Sequence, residues 1–151
     1  MAVKVYGPTI EGACQKVTAR VRGEMASRAY RGANELRNAE LDVLSKQAGH
    51  GGRVYRVPGT KAYYRASAPG EVPAVRTGVF RLSWKPKASR DGDGYKSIIQ
   101  STYKVGGRKK HVLGEMLEYG TSRMAPRPHH QKILDEAQPR LHRIYAQRYF
   151  Y

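Results

Sequence analysis

Five histidines, His50, His111, His129, His130 and His142, are the side chains of this sequence best suited to hold a metal or move a proton near neutral pH. None has a histidine partner at the i, i+4 spacing that sets two imidazoles on one helical face. His129 and His130 are adjacent, and on a helix they point about 100° apart, so they are not expected to clamp one ion. Asp91 and Asp93 in Asp-Gly-Asp-Gly look like the start of a calcium loop, but the further oxygen ligands and the closing glutamate are missing, and a hairpin turn is the better account. Glu115 and Glu118 stand three apart; paired carboxylates can do acid–base work, yet beside a basic turn they more often form ion pairs. Gly-x-Gly spacings occur without the Lys-Ser/Thr ending of a phosphate loop. No catalytic, metal or cofactor-binding set can be assembled, and the chain reads as a non-enzyme.

The elements that must position these residues belong to one domain, since 151 residues supply one modest core. Cys14 is the single cysteine, which rules out an intrachain disulfide and predicts a small buried hydrophobe. No apolar run reaches the ~18 residues of a membrane span, and no apolar signal core opens the chain, so a soluble protein made in the cytoplasm, with no membrane partner, is expected. Lys and Arg number 28 against 12 Asp and Glu, a formal +16. Residues 51–110 alone carry 14 basic and 3 acidic groups. A field of that size favours polyanions or acidic protein surfaces as neighbours and does not choose between them.

From Ile10, apolar or small residues recur at Cys14, Val17, Val21, Met25, Ala29, Ala33, Leu36 and Val43, the spacing of a long amphipathic helix ending near Gly49. Gly23 and Gly32 weaken it by about 1 kcal/mol each relative to Ala, a loss that packing must offset. Arg53–Val57 and Lys61–Ala66 flank Pro58-Gly59-Thr60 as a hairpin whose tyrosines alternate with charges. Such a face could grip nucleic acid by stacking and phosphate contact, but an exposed arm with tyrosine covering the core edge is the better account. Ser89–Gly94 predicts a tight turn and Tyr95–Val105 a strand, together a β-meander. His111–Tyr119 fits a short helix better than a strict strand. The last helix is expected from Pro128, with Ile133, Leu134, Ala137, Leu141, Ile144 and Tyr145 inward and a kink or break near Gln138, before Pro139. The fold class is α+β, with a long N-terminal helix and a C-terminal helix packed on a small, mainly antiparallel sheet bearing an extended hairpin or loop.

Two turn-rich segments stand out from this frame. One is Ser67-Ala-Pro69-Gly70-Glu71-Val-Pro73-Ala-Val-Arg-Thr77-Gly78, followed by Val79-Phe-Arg-Leu-Ser83. The other is Leu117-Glu118-Tyr119-Gly120-Thr121-Ser-Arg-Met-Ala-Pro-Arg-Pro128. Physically, Gly120 frees the backbone to turn, Thr121 can bond local amides, and Pro128 suits a first helical position. In that order, and with a long first helix and a last helix, the segments resemble the central and C-terminal signatures of a family of tailed-bacteriophage neck and tail-completion proteins. In that family a strand runs into Glu-aromatic-Gly-Thr and a basic, proline-containing turn launches the last helix. The chain departs from the pattern at His129-His130, where an aromatic is expected.

The resemblance implies a structural component of the virion at the head-to-tail junction. It implies a closed homo-oligomeric ring, six copies being the expectation, between connector or stopper proteins and the tail-terminator or tail-tube proteins, around the DNA channel. Candidate contacts with packaged DNA, without sequence specificity, or with acidic neighbours are Arg53, Arg56, Lys61, Arg65, Lys85, Lys87, Arg108, Lys109 and Lys110. Tyr149, Phe150 and Tyr151 form an aromatic terminus that a monomer has little reason to expose and that is a candidate subunit contact. The competing reading is a small basic nucleic-acid-binding module, which accounts for the charge but not for the two signatures.

Overall fold

A computed structural model describes residues 7, 9–46, 51–105 and 111–149. Helix α1 (Ile10–Ser45) is 36 residues long, roughly 54 Å at 1.5 Å per residue. Thr9 starts it, its hydroxyl accepting the Gly12 amide at 3.2 Å, and Glu11 places negative charge in the first turn. The helix stops at Ser45, where Lys46 turns to extended backbone, short of the predicted end; Gly49 and His50 lie outside the described residues.

The two halves of α1 live in different surroundings. From Arg28 on, a stripe of Arg28, Ala29, Gly32, Ala33, Ala39, Glu40, Val43 and Leu44 is buried. Before Val21, Ile10, Cys14 and Val17 are exposed, so Cys14 is not the buried hydrophobe its polarity suggests. The helical period is right there, but the described residues leave these side chains uncovered.

Helix α4 (His130–Tyr145) lies along the second half of α1, and Ala39, Val43, Ile133 and Ala137 form the shared core with Leu36, Val72, Ile99 and Leu141 around it. Small residues let the helices approach closely. Gly32 shows how closely: a Cβ there would sit 2.5 Å from Ser97 Oγ and 2.9 Å from the Tyr145 hydroxyl. Ser97 donates to the Ala29 carbonyl at 2.7 Å and bonds the Tyr145 hydroxyl at 2.5 Å, joining both helices to the sheet. Packing thus offsets the helix cost of Gly32. It does nothing for Gly23, whose Cβ position meets no atom of the described residues within 4 Å. Leu134, predicted inward, is 46% exposed.

Strands β1 (Val54–Arg56) and β2 (Tyr63–Arg65) form the predicted hairpin. Strands β3 (Trp84–Asp91) and β4 (Gly94–Ser101) form a longer one, whose inner face lies on α1. The predicted strand Tyr95–Val105 breaks at Ser101, because Ser101 Oγ bonds Ser83 Oγ at 2.6 Å and accepts the Tyr103 amide at 3.3 Å, bending the chain locally. Lys104–Val105 (β5) then pairs with His111–Val112 (β6). Among the described residues the result is three separate antiparallel pairs, not a meander. The single-turn helix α2 (Val79–Leu82) precedes β3, and α3 (Leu113–Tyr119) follows β6. Hence the resemblance's strand into Glu-Tyr-Gly-Thr is here a helix.

Pro128 does not open the last helix, since His129, with φ −136°, is still non-helical and α4 begins at His130. Pro139 leaves α4 unbroken. Its flanks are held: Ala137 is in the core, and Arg140 meets Glu35 at 3.5 Å and Asp42 at 3.5 Å on α1. Tertiary contact overrides the missing amide.

Candidate functional site

Helix α4 starts without a capping side chain of its own, because His129 occupies the N-cap. Its first amides must find acceptors elsewhere. Glu118, near the end of α3, supplies them: its Oε2 accepts the amide of His129 at 2.8 Å and that of His130 at 3.2 Å. A carboxylate at a helix N-terminus also faces the positive end of the macrodipole. Burial tends to raise the Glu118 pKa, but the two amides and the neighbouring imidazoles outweigh it and hold the carboxyl below its ordinary value.

The chain between donor and acceptor is shaped to bring them together. Gly120 has φ +77° and ψ −174°, a region essentially reserved for glycine, and a Cβ there would lie 2.7 Å from the Met124 carbonyl oxygen. Thr121 and Met124 form a two-residue bridge, with amide-to-carbonyl distances of 2.8 and 3.2 Å. The Arg127 amide then donates to the Leu117 carbonyl at 2.6 Å, strapping the turn to α3.

His129 is fully buried. Its ring packs edge-on against Phe80 and Trp84, with centroids 5.8 and 5.9 Å away. Nδ1 lies 3.1 Å from the Arg127 carbonyl, which can only accept, so Nδ1 carries the proton and also reaches Glu118 Oε2 at 3.0 Å. Burial is the main cause that pushes the His129 pKa below its ordinary value, with His130 adding to it and the Arg127 carbonyl and Glu118 opposing. His129 Nε2 and Trp84 Nε1 are buried and have no hydrogen-bond partner among the described residues.

The expectation that adjacent histidines diverge fails here: donor atoms of Glu118, His129 and His130 lie within 4.8 Å of one another. The cause is that His129 is outside the helix, so the 100° rule does not apply. Two of these donors are nonetheless engaged, the Glu118 carboxylate oxygen by two amides and His129 Nδ1 by a carbonyl.

The two signature segments meet in space. The Arg127 guanidinium donates to Ser67 Oγ at 2.7 Å, to the Ser67 carbonyl at 3.0 Å and to the Ala125 carbonyl at 3.1 Å. The Gly70 amide donates to the Pro126 carbonyl at 3.0 Å, and Lys132 Nζ reaches the Gly70 carbonyl at 3.3 Å. Within the first segment, Glu71 accepts the Ala68 amide at 2.7 Å, just after Ser67 and before Pro69. Ser67 and Pro73 are buried, Thr77 accepts the Val79 amide at 3.4 Å, and Gly78 caps α2. Segments some fifty residues apart in sequence therefore form one interlocked junction.

The basic candidates do not form one patch. In the first hairpin, strand alternation puts Arg53 on the side of the stacked Tyr55–Tyr64 pair, and Arg56 and Arg65 on the other with Tyr63. Arg56 is bonded to the Thr60 carbonyl and Arg65 to that of Gly52; Lys61 is exposed near the tip. Lys85 and Lys87 are exposed on a different hairpin, on the outer face of β3 with Lys96 of β4. Arg108, Lys109 and Lys110 lie outside the described residues, as do Phe150 and Tyr151.

Tyr149 already has a partner in its own chain. Arg28, 1% exposed, stacks on its ring at 3.9 Å, pairs with Glu24 at 3.0 Å, and donates to the Arg148 carbonyl at 2.6 Å and to that of Gln147. One guanidinium thus satisfies carbonyls just beyond α4. Sequence reading missed this clamp, although its signal was present: Arg28 and Glu40 both fall on the alanine-rich inward stripe, where an unpaired charge is costly. Glu40 is fully buried and paired with Arg37, whose pKa is lowered by burial and by the charge of Arg81.

Among the described residues no helix is long and apolar enough to cross a membrane. Comparison of the chain with protein-family models, curated proteins and solved structures found no match in any of the three.

Proposed function

We propose that this chain is a structural protein of a tailed-phage virion that forms a ring at the head-to-tail junction. The observation that carries the assembly half of this reading is the exposed apolar stripe on the N-terminal half of α1. Ile10 is 85% and Val17 51% exposed, and Cys14 is exposed between them, an apolar stripe at helical spacing that the described residues leave uncovered. A helix several turns long that projects from the core is suited to pack against a neighbouring subunit. Head-to-tail contacts of this kind close into rings when the rotation permits. The place of the ring in a virion rests on the two segments that resemble the neck family. The interlocking of those segments supports it, since Glu118, Gly120 and Arg127 spend their chemistry on holding a shape. Lys85, Lys87 and Lys96, on one exposed sheet face, suit sequence-independent contact with DNA phosphates or an acidic neighbouring ring.

Light scattering of the purified protein, beside Val17→Lys, tests the assembly claim. The wild type is expected at about six times the 17.0 kDa chain mass and the variant as a monomer with unchanged helical circular dichroism. A wild-type monomer at every concentration and salt level would remove the ring.

A further inference from the structure

A second feature lies apart from the exposed half of α1. Between the first hairpin, the Ser67–Gly78 loop and α2–α3 lies a cleft of about 860 Å³, within the size range of sites that enclose a ligand or a stretch of peptide. Arg53, Arg76, Arg81, Arg123 and Arg127 line it, and no Asp or Glu does. Two of the five show that this charge is built into the walls. Arg127 is fixed by Ser67, as above, and Arg81 is anchored to Ser45 Oγ at 2.6 Å, with its Nε buried and lacking a hydrogen-bond partner among the described residues. Between the arginines the walls are apolar, with Leu44, Phe80, Leu113, Leu117 and Met124 contributed by α1, α2, α3 and the second turn segment.

We infer that this cleft binds an acidic segment of a partner protein, in which carboxylates alternate with large apolar side chains. The arginines select negative charge, and the apolar floor selects a chain that can bury side chains between its charges. Arg and aromatic residues at the centre of a cleft are also the types that carry most interface energy. Nucleic acid fits less well, because bases need open aromatic faces. Tyr55 and Tyr64 are stacked on each other with centroids 5.7 Å apart, and Arg76 covers Tyr64 at 5.0 Å. The chain does not hold the occupant among its undescribed residues, since none of these is Asp or Glu. Partner acidity also matches a chain of formal +16.

Fluorescence anisotropy of the full chain tests the site with a labelled peptide repeating Asp-Leu-Glu-Phe, beside polyglutamate and oligothymidylate. The alternating peptide is expected to bind, more weakly as salt rises, and to lose at least about tenfold in affinity in both Arg76→Glu and Arg123→Glu, each at an exposed position that leaves the fold intact. Polyglutamate is expected to bind much more weakly. Equal binding of polyglutamate would reduce the site to charge alone and overturn the inference. So would oligothymidylate binding lost in the same variants, or the absence of binding by the alternating peptide. None of these results depends on whether the protein forms rings.

Discussion

Removing the Glu118 carboxylate should destabilise the start of α4 strongly. The side chain is only 13% exposed and its Oε2 accepts two amides that have no other acceptor among the described contacts. A hydrogen bond to a charged group contributes roughly 1.5–3 kcal/mol, and a buried donor left without one costs about 1–3 kcal/mol. The favourable placement at the helix N-terminus adds a few tenths to about 1 kcal/mol. Because contributions of this kind overlap, Glu118→Ala is expected to cost about 3 kcal/mol in all. Glu118→Gln keeps an acceptor oxygen but loses the charge, and should cost roughly half of that. Urea unfolding followed by circular dichroism reads both, with a midpoint shift for the alanine variant of about 1 M or more at a typical slope. Amide exchange at His129 and His130 should accelerate in both variants, more than at the middle of α4. If Glu118→Ala matched wild type in midpoint and in exchange at those two amides, the cap would have no energetic role and the carboxylate would not hold the start of α4.

Three further outcomes follow from the same geometry. Gly120→Ala forces a side chain into a glycine-only conformation and against the Met124 carbonyl, and should cost about 2–4 kcal/mol in a thermal or urea melt; a loss below about 1 kcal/mol would show that the turn relaxes freely. Arg28→Ala should cost a similar amount and selectively speed amide exchange in the last turn of α4, whereas uniform acceleration would deny the clamp its local role. Acid should destabilise in two stages. The folded pKa of His129 lies below its ordinary 6.5, so the unfolded chain takes up that proton first and stability declines as pH falls through 6.5 toward the folded value. Glu118, also lowered, adds a second loss as pH falls below about 4.5. Asn at position 129 should abolish the upper stage and Gln at 118 the lower; a wild-type profile flat from neutral pH to about pH 5 would contradict the burial of a neutral imidazole.

How much of this was legible in the residues depended on the range of the forces involved. Local patterns carried well: the period of α1, the hairpin around Pro58-Gly59-Thr60, and the α+β class follow from side-chain spacing and turn chemistry, and the structure contains each. Boundaries set by distant partners did not carry. The break at Ser101 comes from a hydroxyl pair with Ser83, and the survival of α4 through Pro139 from ion pairs with α1. His129 was misjudged for one reason, since a residue treated as helical was in fact the cap. Glu118, Gly120 and Ser67 were singled out by type and order, but their joint task was invisible because Arg127 and the α4 amides complete it from elsewhere in the fold. Periodicity, finally, reports which face of a helix is apolar and not whether its own chain covers it. Cys14 and Val17 keep the period and stay exposed.

Locating the protein in a particle bears most directly on the central claim. Virions assembled with this chain carrying a C-terminal gold label, viewed by electron microscopy, should show label at the junction of capsid and tail, consistent with a ring there. Label distributed over the capsid or along the tail, or particles without the protein, would contradict the proposed function.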